Sequence, residues 1–351
     1  MNPPPSPDRS PGPLSGRYGV ERATPLSRAS LVVSIGIVVG LVAMPWWADE
    51  GLSATVVEFL YYLAIAQMWN LLAGYGGLVS IGQQAYIGLG GYVLAAIALH
   101  TSLNPLLSIP VAGAVAAVVA WPVSRLLFRL NGAYFAVGTW VVAEVFRLLL
   151  ANFTPLGGGS GTSITSSLAG MEPWWRDAII AWAALAIAVA SVLGVYLFLR
   201  SRNGLALTAI RDSEIASESL GVRVPRIKLA VYLVSALGCG MIGALIYLVK
   251  LRISPDSAFS VEWSALAFLM VIIGGFGTIE GPIVGALVYF LLRWLLGDFG
   301  VAYMIALGVI AIAVMLVERR GLWGWLRARY GLELFPVQRR LRRRDAPKDP
   351  R

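Results

Sequence analysis

The chain has 351 residues, of which 58% are hydrophobic and only 13% are charged. Soluble domains carry roughly 25% charged residues, so this composition excludes an ordinary soluble domain and indicates an integral membrane protein. The net charge is +9, but 23 of the 28 lysine and arginine residues lie in four regions between or beyond apolar segments. That distribution indicates membrane topology and no nucleic-acid partner. With one cysteine, Cys239, and one histidine, His100, an internal disulfide and Cys- or His-rich metal sites are excluded.

Residues 1–28 are rich in Pro, Ser, Gly and Arg, which predicts a disordered cytoplasmic tail. The rest of the chain predicts an all-α, polytopic integral membrane protein with about ten transmembrane helices. The predicted transmembrane region covers 29–317, and 318–351 is predicted to be a basic cytoplasmic tail. The last three apolar segments are short for a span of about 20 residues, so eight spans remain possible. The ten segments have approximate limits of 29–47, 54–73, 77–99, 106–128, 133–151, 177–199, 227–249, 263–275, 281–297 and 301–317.

Ten spans would place all four basic regions on one side of the membrane: 1–28, 125–132, 200–228 and 318–351. The positive-inside rule then predicts that this side, with both termini, is cytoplasmic. The opposite side receives the loop 152–176. Its glycine run resembles a phosphate loop but lacks the lysine of a Walker A motif, so a flexible external loop is predicted. A basic run close to the chain end, RRLRRR, predicts contact with anionic lipid headgroups.

The segment 200–228 is the longest polar interruption of the apolar region, and it contains a short predicted helix. Asp212 or Ser213 can cap the first amides of this helix. Gly221 can supply the left-handed residue that ends it, and Pro225 is predicted to prevent its resumption.

This predicted helix has only about two turns and is too short to be stable alone in water. Its apolar positions Ile215, Ala216 and Leu220 therefore predict a face for a partner. The alternative is an ordinary loop that rests on its own membrane domain.

Two glycine-rich stretches, 74–91 and 274–286, contain similar Gly-aromatic-Gly units, and each lies at the cytoplasmic start of a predicted span. Paired Gly/Pro-interrupted segments in the two halves of a transporter indicate broken helices around a substrate path. Close helix packing is the alternative, since glycine also permits that, and both interpretations stay open. The candidate path residues are Gly74, Gly77, Ser80, Gly82, Gln83, Gln84, Gly275, Gly277, Thr278 and Gly281.

Polar side chains are few within the predicted spans. Glu144 and Arg147 are spaced i, i+3 and predict a mutually neutralising pair. No chain of buried acids runs along several spans, so the sequence does not support coupling to a proton or sodium gradient. The other polar residues predicted inside spans are Gln67, Asn70, Ser80, Gln83, Gln84, Thr139 and Arg293.

Three motifs, in this order along the chain, resemble the permeases of branched-chain amino acid ABC importers, and the M-type (LivM-like) subunits most closely. The similarity runs from about residue 55 to 325. The motifs are Gly74-Tyr75-x-Gly77-x-x-Ser80-x-Gly82-x-x-Ala85, Arg202-x-Gly204-x-Ala206-x-x-Ala209-Ile210-Arg211-Asp212 and Gly274-Gly275-x-Gly277-Thr278-x-x-Gly281-Pro282-x-x-Gly285-Ala286.

The resemblance implies a heterodimer with a second homologous permease, two cytoplasmic ATPases that bind the ATP, and an extracytoplasmic solute-binding protein. It implies that the chain itself is not an enzyme and carries no cofactor. It also implies that 200–228 docks on an ATPase, with Ser217 making the docking surface slightly more polar than usual. The residues that match the family's docking loop, together with the apolar Leu220, are Arg202, Gly204, Ala209, Arg211, Asp212, Glu214, Ala216, Leu220 and Gly221.

The function expected from this resemblance is ATP-driven import of branched-chain amino acids across the bacterial inner membrane. Related permeases carry urea, short amides or other small polar solutes, so such a substrate is the first alternative. A stand-alone secondary carrier or channel is a second alternative, and an integral-membrane enzyme a third. The sequence has no relay of buried acids that would favour a secondary carrier. It has no catalytic nucleophile or metal-binding set that would favour an enzyme.

Overall fold

The computed structural model describes residues 18–21, 25–101, 104–165, 172–297, 302–318, 320–331, 334–335 and 340–343. Its first half consists of β1 (Tyr18–Glu21), α1 (Pro25–Val42), α2 (Met44–Trp47), α3 (Glu50–Asn70), α4 (Gln83–His100), α5 (Ser108–Leu127), α6 (Ala133–Ala151) and β2 (Thr162–Ser163). Its second half consists of α7 (Pro173–Arg200), α8 (Arg202–Asp212), α9 (Glu214–Ser219), α10 (Val224–Lys250), β3 (Arg252–Ile253), α11 (Pro255–Ala258), α12 (Glu262–Gly274), α13 (Glu280–Leu296), α14 (Ala302–Val317), α15 (Gly321–Tyr330) and β4 (Arg340–Arg343).

Every one of the ten predicted apolar segments contains a helix. Six helical segments among the described residues are long and apolar enough to cross a membrane, and Ala29–Val42 and Met304–Val317 are apolar but shorter. A polytopic helical architecture is therefore confirmed, whereas ten spans and the position of both termini stay predictions. The six are Glu50–Tyr75, Pro105–Leu127, Ala133–Ala151, Pro173–Arg200, Val224–Lys250 and Pro255–Gly274.

Helix α10 lies at the centre of the bundle and packs against α3, α4, α5 and α7. Helix α4 approaches α10 through glycine residues. A Cβ atom at Gly90 of α4 would overlap the carbonyl of Gly240, and one at Gly243 would overlap the carbonyl of Ile87. Backbones this close make many van der Waals contacts, which drive helix association in lipid. At Gly90, the interpretation of glycine as a packing residue is confirmed.

The outer surface of the bundle is strongly apolar. In α1 the side chains of Leu31, Val32 and Val39 are more than half exposed, as is Val118 of α5. Such a surface is unfavourable in water but matches hydrocarbon tails, which need no polar partner. The exposed apolar faces are therefore the expected lipid or subunit contacts of a membrane protein.

The predicted disordered tail 1–28 is interrupted in the structure. β1 pairs antiparallel with β4, with Tyr18 opposite Arg343, and α1 begins at Pro25. Backbone pairing across the two chain ends satisfies donors and acceptors that composition alone does not reveal. The rest of the tail, 1–17 and 22–24, lies outside the described residues.

The loop that precedes α7 is ordered up to residue 165, which differs from the flexible loop predicted for 152–176. Two 3₁₀ turns, Thr154–Leu156 and Gly158–Ser160, lead into β2, which pairs antiparallel with β3. Glycines 157, 158 and 161 have positive φ and allow these turns. Residues 166–171 lie outside the described residues.

Candidate functional site

The polar segment 200–228 folds as two helices, α8 and α9, where the sequence predicted one. The side chain of Ser201 caps α8 by accepting a hydrogen bond from the Gly204 amide at 3.4 Å. Leu207 and Ile210 face the bundle and are almost fully buried. The Ser201 cap and this i, i+3 apolar pair were signals in the sequence that could have predicted α8.

The predicted ends of α9 are largely confirmed. Ser213 is the N-cap, and its side chain accepts a hydrogen bond from the Ala216 amide at 3.3 Å, while Asp212 lies at the end of α8. Gly221 has φ +83°, as the left-handed end of a helix requires. Helix α9 does not continue beyond Ser219, as predicted, and Pro225 lies at the start of a separate helix. A proline is accommodated at the first positions of a helix, and Pro225 lies in the first turn of α10.

The outer face of this loop is apolar and exposed. Ile215 and Leu220 are each 81% exposed, Leu205 is 76% exposed, and Ala216 is also exposed. The apolar side chains Ile215 and Leu220 of α9 therefore do not pack on the chain's own membrane domain. Ser217 is buried instead and donates to the Ser213 carbonyl at 2.8 Å, so it contributes no polarity to the outer face.

The inner side of the loop is fixed to the bundle by polar contacts. Lys228 of α10 donates to the Glu214 carboxylate at 2.7 Å. A Cβ atom at Gly204 would overlap the backbone of Leu199, so α8 folds back tightly on the end of α7. Ala209 is partly buried, and Arg202 at the start of α8 is exposed. The loop thus presents its apolar side chains outward from an anchored base.

The two glycine-rich motifs lie in contact with each other, more than 200 residues apart in sequence. A π-helical turn, Leu71–Tyr75, ends α3, and the loop 275–279 separates α12 from α13. Asn70, fully buried, joins them: its Nδ2 donates to the Thr278 carbonyl at 2.8 Å, and its Oδ1 accepts from the Gly277 amide at 3.0 Å. Gln67 adds a third bond, from Nε2 to the Ile279 carbonyl at 2.7 Å.

Thr278 holds the turn between α12 and α13. Its hydroxyl donates to the Gly275 carbonyl at 2.9 Å and accepts from the Gly281 amide at 3.0 Å. Gly275 and Gly277 have φ of +146° and +70°, which side chains rarely allow. A Cβ atom at Gly281 would overlap the Gly275 carbonyl. The predicted interruption is therefore a tight, fully specified turn.

The residues before α4 form a second interruption. Trp69 donates to the Ser80 carbonyl at 2.8 Å, and the Ser80 hydroxyl accepts from the Gly82 amide at 3.1 Å. Gly82 packs directly on Thr139 of α6, where a Cβ atom would overlap the Thr139 backbone. Gly77 has φ +67° and is exposed.

The first residues of α4 enter a buried polar cluster. The Gln83 side chain donates to the Ser235 hydroxyl at 3.2 Å and accepts from the Cys239 thiol at 3.2 Å. The Ser264 hydroxyl of α12 accepts a hydrogen bond from the backbone N–H of Gln83 at 3.1 Å and donates one to the side-chain oxygen of Gln84. Both glutamines are nearly inaccessible. They stabilise the junction of α4, α10 and α12, and their place on a substrate path stays a prediction.

The ionisable residues predicted inside helices are paired. Arg147 bonds to Glu144 at 2.5 Å, which confirms the predicted pair, and also to Asp256 at 2.6 Å. Arg293 of α13 bonds to Glu58 of α3 at 2.6 Å, a partner the sequence did not suggest. Within the described part of the chain, no group of His, Cys, Asp and Glu residues could hold a metal ion.

An open pocket of about 850 Å³ lies at the bundle end opposite the α8–α9 loop. The sequence analysis did not predict this pocket, although two of its lining residues, Asp49 and Glu50, form an adjacent acidic pair in the sequence. Its polar lining residues include Asp49, Glu50, Glu172, Arg176 and Asp177.

Comparison with known proteins identifies the family of the chain. A family described as "Branched-chain amino acid transport system / permease component" matches residues 51–318. The chain belongs to this family. Residues 51–318 contain the glycine motifs and both helices of the α8–α9 loop. It is a multi-pass membrane protein, as the family and the six long apolar helices indicate.

Two relatives extend over most of the chain. The high-affinity branched-chain amino acid transport system permease protein LivM of Escherichia coli (strain K12) is 28% identical, covering 82% of this chain and 73% of its own length. The probable branched-chain amino acid transport permease protein LivM of Methanocaldococcus jannaschii is 23% identical, covering 74% and 85%.

A third relative matches a smaller part of the chain. The fructose import permease protein FruG of Bifidobacterium longum is 30% identical over 38% of this chain and 42% of its own length. No solved structure matches the chain.

Proposed function

We propose that this chain is the membrane-spanning permease subunit of an ABC importer that carries branched-chain amino acids. Two LivM relatives with that printed function cover at least 74% of the chain, and the family match spans the motifs that meet in the structure. The observation that carries the proposal is the α8–α9 loop, because an anchored base with an exposed apolar face requires a partner protein.

The proposed partner at the loop is a cytoplasmic ATPase. Leu205, Ile215 and Leu220 supply an apolar surface that water does not favour. The proposed assembly contains a second homologous permease, two ATPases that bind the ATP, and an extracytoplasmic binding protein. The chain then catalyses no reaction and carries no cofactor.

The loop end of the bundle, with both termini, is proposed to be cytoplasmic, in a bacterial inner membrane that the chain crosses with ten spans. The basic run close to the chain end is proposed to contact anionic lipid.

The docking proposal is tested by Leu220→Asp. If an ATPase covers Leu220, the variant buries an unpaired charge in that contact, at a cost on the order of several kcal/mol. The free permease changes little, because the side chain is 81% exposed. We expect normal insertion, with loss of both ATPase co-purification and transport. The matched control is Tyr330→Asp on α15, also exposed on its own helix. Intact ATPase binding by Leu220→Asp would refute the docking role of α9.

The substrate is tested with the complete transporter in liposomes. We expect uptake of leucine, isoleucine and valine that depends on ATP and on the binding protein. One relative is a fructose import permease, so the test also includes solutes other than amino acids. A binding protein that ignores all three amino acids and binds urea, an amide or a sugar would keep the permease role and change the substrate. Uptake by the purified chain alone would instead favour a secondary carrier.

A further inference from the structure

Arg211 lies where the α8–α9 loop meets both glycine motifs. It is in the last turn of α8, and its Nη1 atom donates to the Gly74 carbonyl at 3.1 Å. A Cβ atom at Gly277 would lie 2.8 Å from the same nitrogen, and one at Gly77 would lie 4.0 Å from the Arg211 Cγ atom. One side chain therefore spans the loop after α3 and the turn between α12 and α13.

The chemistry of this contact suits an arginine. Gly74 lies in the turn that ends α3, where carbonyl groups lack partners within the helix and carry the negative end of its dipole. A guanidinium is always charged and holds five donors in a rigid plane, so it can bind such a carbonyl while its face lies against a neighbouring backbone. A Cβ atom at Gly277 would force this nitrogen to shift, so glycine there leaves room for the guanidinium as it is placed.

The two loops that Arg211 touches are already joined to each other. Asn70 bonds to both the amide of Gly277 and the carbonyl of Thr278. These hydrogen bonds and packing contacts make the two loops one physical unit, the kind of network that can carry movement from one loop to the other. The ends of α3 and α12 and the start of α13 all lie within this unit.

We propose that Arg211 is a positioning residue that links movement of the α8–α9 loop to the two glycine loops. Its Nη1 atom donates to the Gly74 carbonyl, while the side chain as a whole is 40% exposed and its Nε atom lies 3.8 Å from the Asp212 carboxylate. The proposed role depends on the Gly74 contact and is distinct from a direct contact with the ATPase. When a bound ATPase shifts α8 and α9, Arg211 moves the ends of α3 and α12 together. This inference rests on the proposed docking function of the loop.

The test follows the glycine loop directly, without measuring uptake. Val79 lies in the loop before α4 and is 42% exposed, whereas the native Cys239 is fully buried, so Val79→Cys gives one reactive thiol in the permease. Its maleimide labelling rate is measured in the complete complex, with and without ATP and vanadate. The same measurement is repeated with Arg211→Gln, Arg211→Lys and the control Arg226→Gln, an exposed arginine of the same polar segment.

We expect ATP and vanadate together to change the maleimide labelling rate at position 79 at least threefold, both in the parent and in Arg226→Gln. Arg211→Gln should abolish this change while the ATPase still co-purifies, and Arg211→Lys should retain part of it, since one ammonium can still reach the Gly74 carbonyl. An unchanged response in Arg211→Gln, or no response in the parent, would overturn the proposal. Loss of ATPase binding in Arg211→Gln would also overturn it, because Arg211 would then be a docking residue. A parent that binds no ATPase would instead refute the proposed function.

Discussion

Asn70 is the residue whose loss should most directly separate the two glycine loops. Its side chain is fully buried and makes hydrogen bonds of 2.8 Å to the Thr278 carbonyl and 3.0 Å from the Gly277 amide. In Asn70→Ala, the Thr278 carbonyl and the Gly277 amide both lose this partner, and water replaces it only in part because both residues are half-buried. Each lost hydrogen bond at such a half-buried position costs roughly 0.5–1.5 kcal/mol, so the free energy of unfolding should fall by about 1–3 kcal/mol.

The assay is thermal unfolding of the purified chain in detergent, followed by tryptophan fluorescence. The unfolding entropy of a 351-residue chain corresponds to roughly 1.4 °C per kcal/mol, so a loss of this size should lower the Tm by about 1–4 °C. The matched control is Asn152→Ala, since Asn152 is exposed and its Nδ2 donates only to the Leu148 carbonyl of its own helix, at 2.8 Å. The control should change stability by within about 0.5 kcal/mol. Equal Tm values for the two variants would show that the Asn70 bonds do not stabilise the contact between the loops.

Two further predictions follow from backbone contacts and from charge. Gly90→Ala should destabilise the chain, because its Cβ atom would overlap the Gly240 carbonyl, whereas Gly194→Ala has open space and should be neutral; the Tm values of the two variants in detergent check this. For topology, cysteines introduced at Ser160 and Ser219, both exposed, should differ in labelling by an impermeant maleimide: position 160 reacts in intact cells, and position 219 reacts only after permeabilisation. Labelling of position 219 in intact cells would reverse the proposed orientation.

The sequence predicted features that depend on a few neighbouring residues. The cap at Ser213 and the left-handed Gly221 were both predicted, because each satisfies backbone groups within one helical turn. The Glu144–Arg147 pair is similarly local, because its partners are three positions apart on one helix. Apolar segments predicted the helices for the same reason, since composition over about 20 residues determines whether a segment can be buried in lipid.

The sequence did not predict which distant segments meet. Asn70 and Gln67 were recognised as unusual polar residues inside a predicted span, but their partners lie more than 200 residues away. No local rule relates such positions, because the pairing depends on how α3 packs against α12 and α13. Arg211 shows the same limit: its motif suggested a docking surface, and only the fold reveals that it reaches Gly74. The roles of individual residues at a junction are thus tertiary properties.

Gly221 offers a test of whether the α8–α9 loop must keep its backbone shape to bind a partner. A Cβ atom there would meet nothing within 4 Å, so a substitution acts through the backbone conformation alone. At φ +83° most side chains cost roughly 1–2 kcal/mol, and a β-branched one is the poorest fit. Gly221→Val should therefore weaken ATPase binding by about fivefold to thirtyfold, since 1.4 kcal/mol is a factor of ten. Gly221→Asn is the matched control, because asparagine tolerates the left-handed conformation and should bind nearly as well as the parent. Equal losses for valine and asparagine, measured as dissociation constants for the ATPase, would show that the partner contacts position 221 itself and that backbone strain is not the cause.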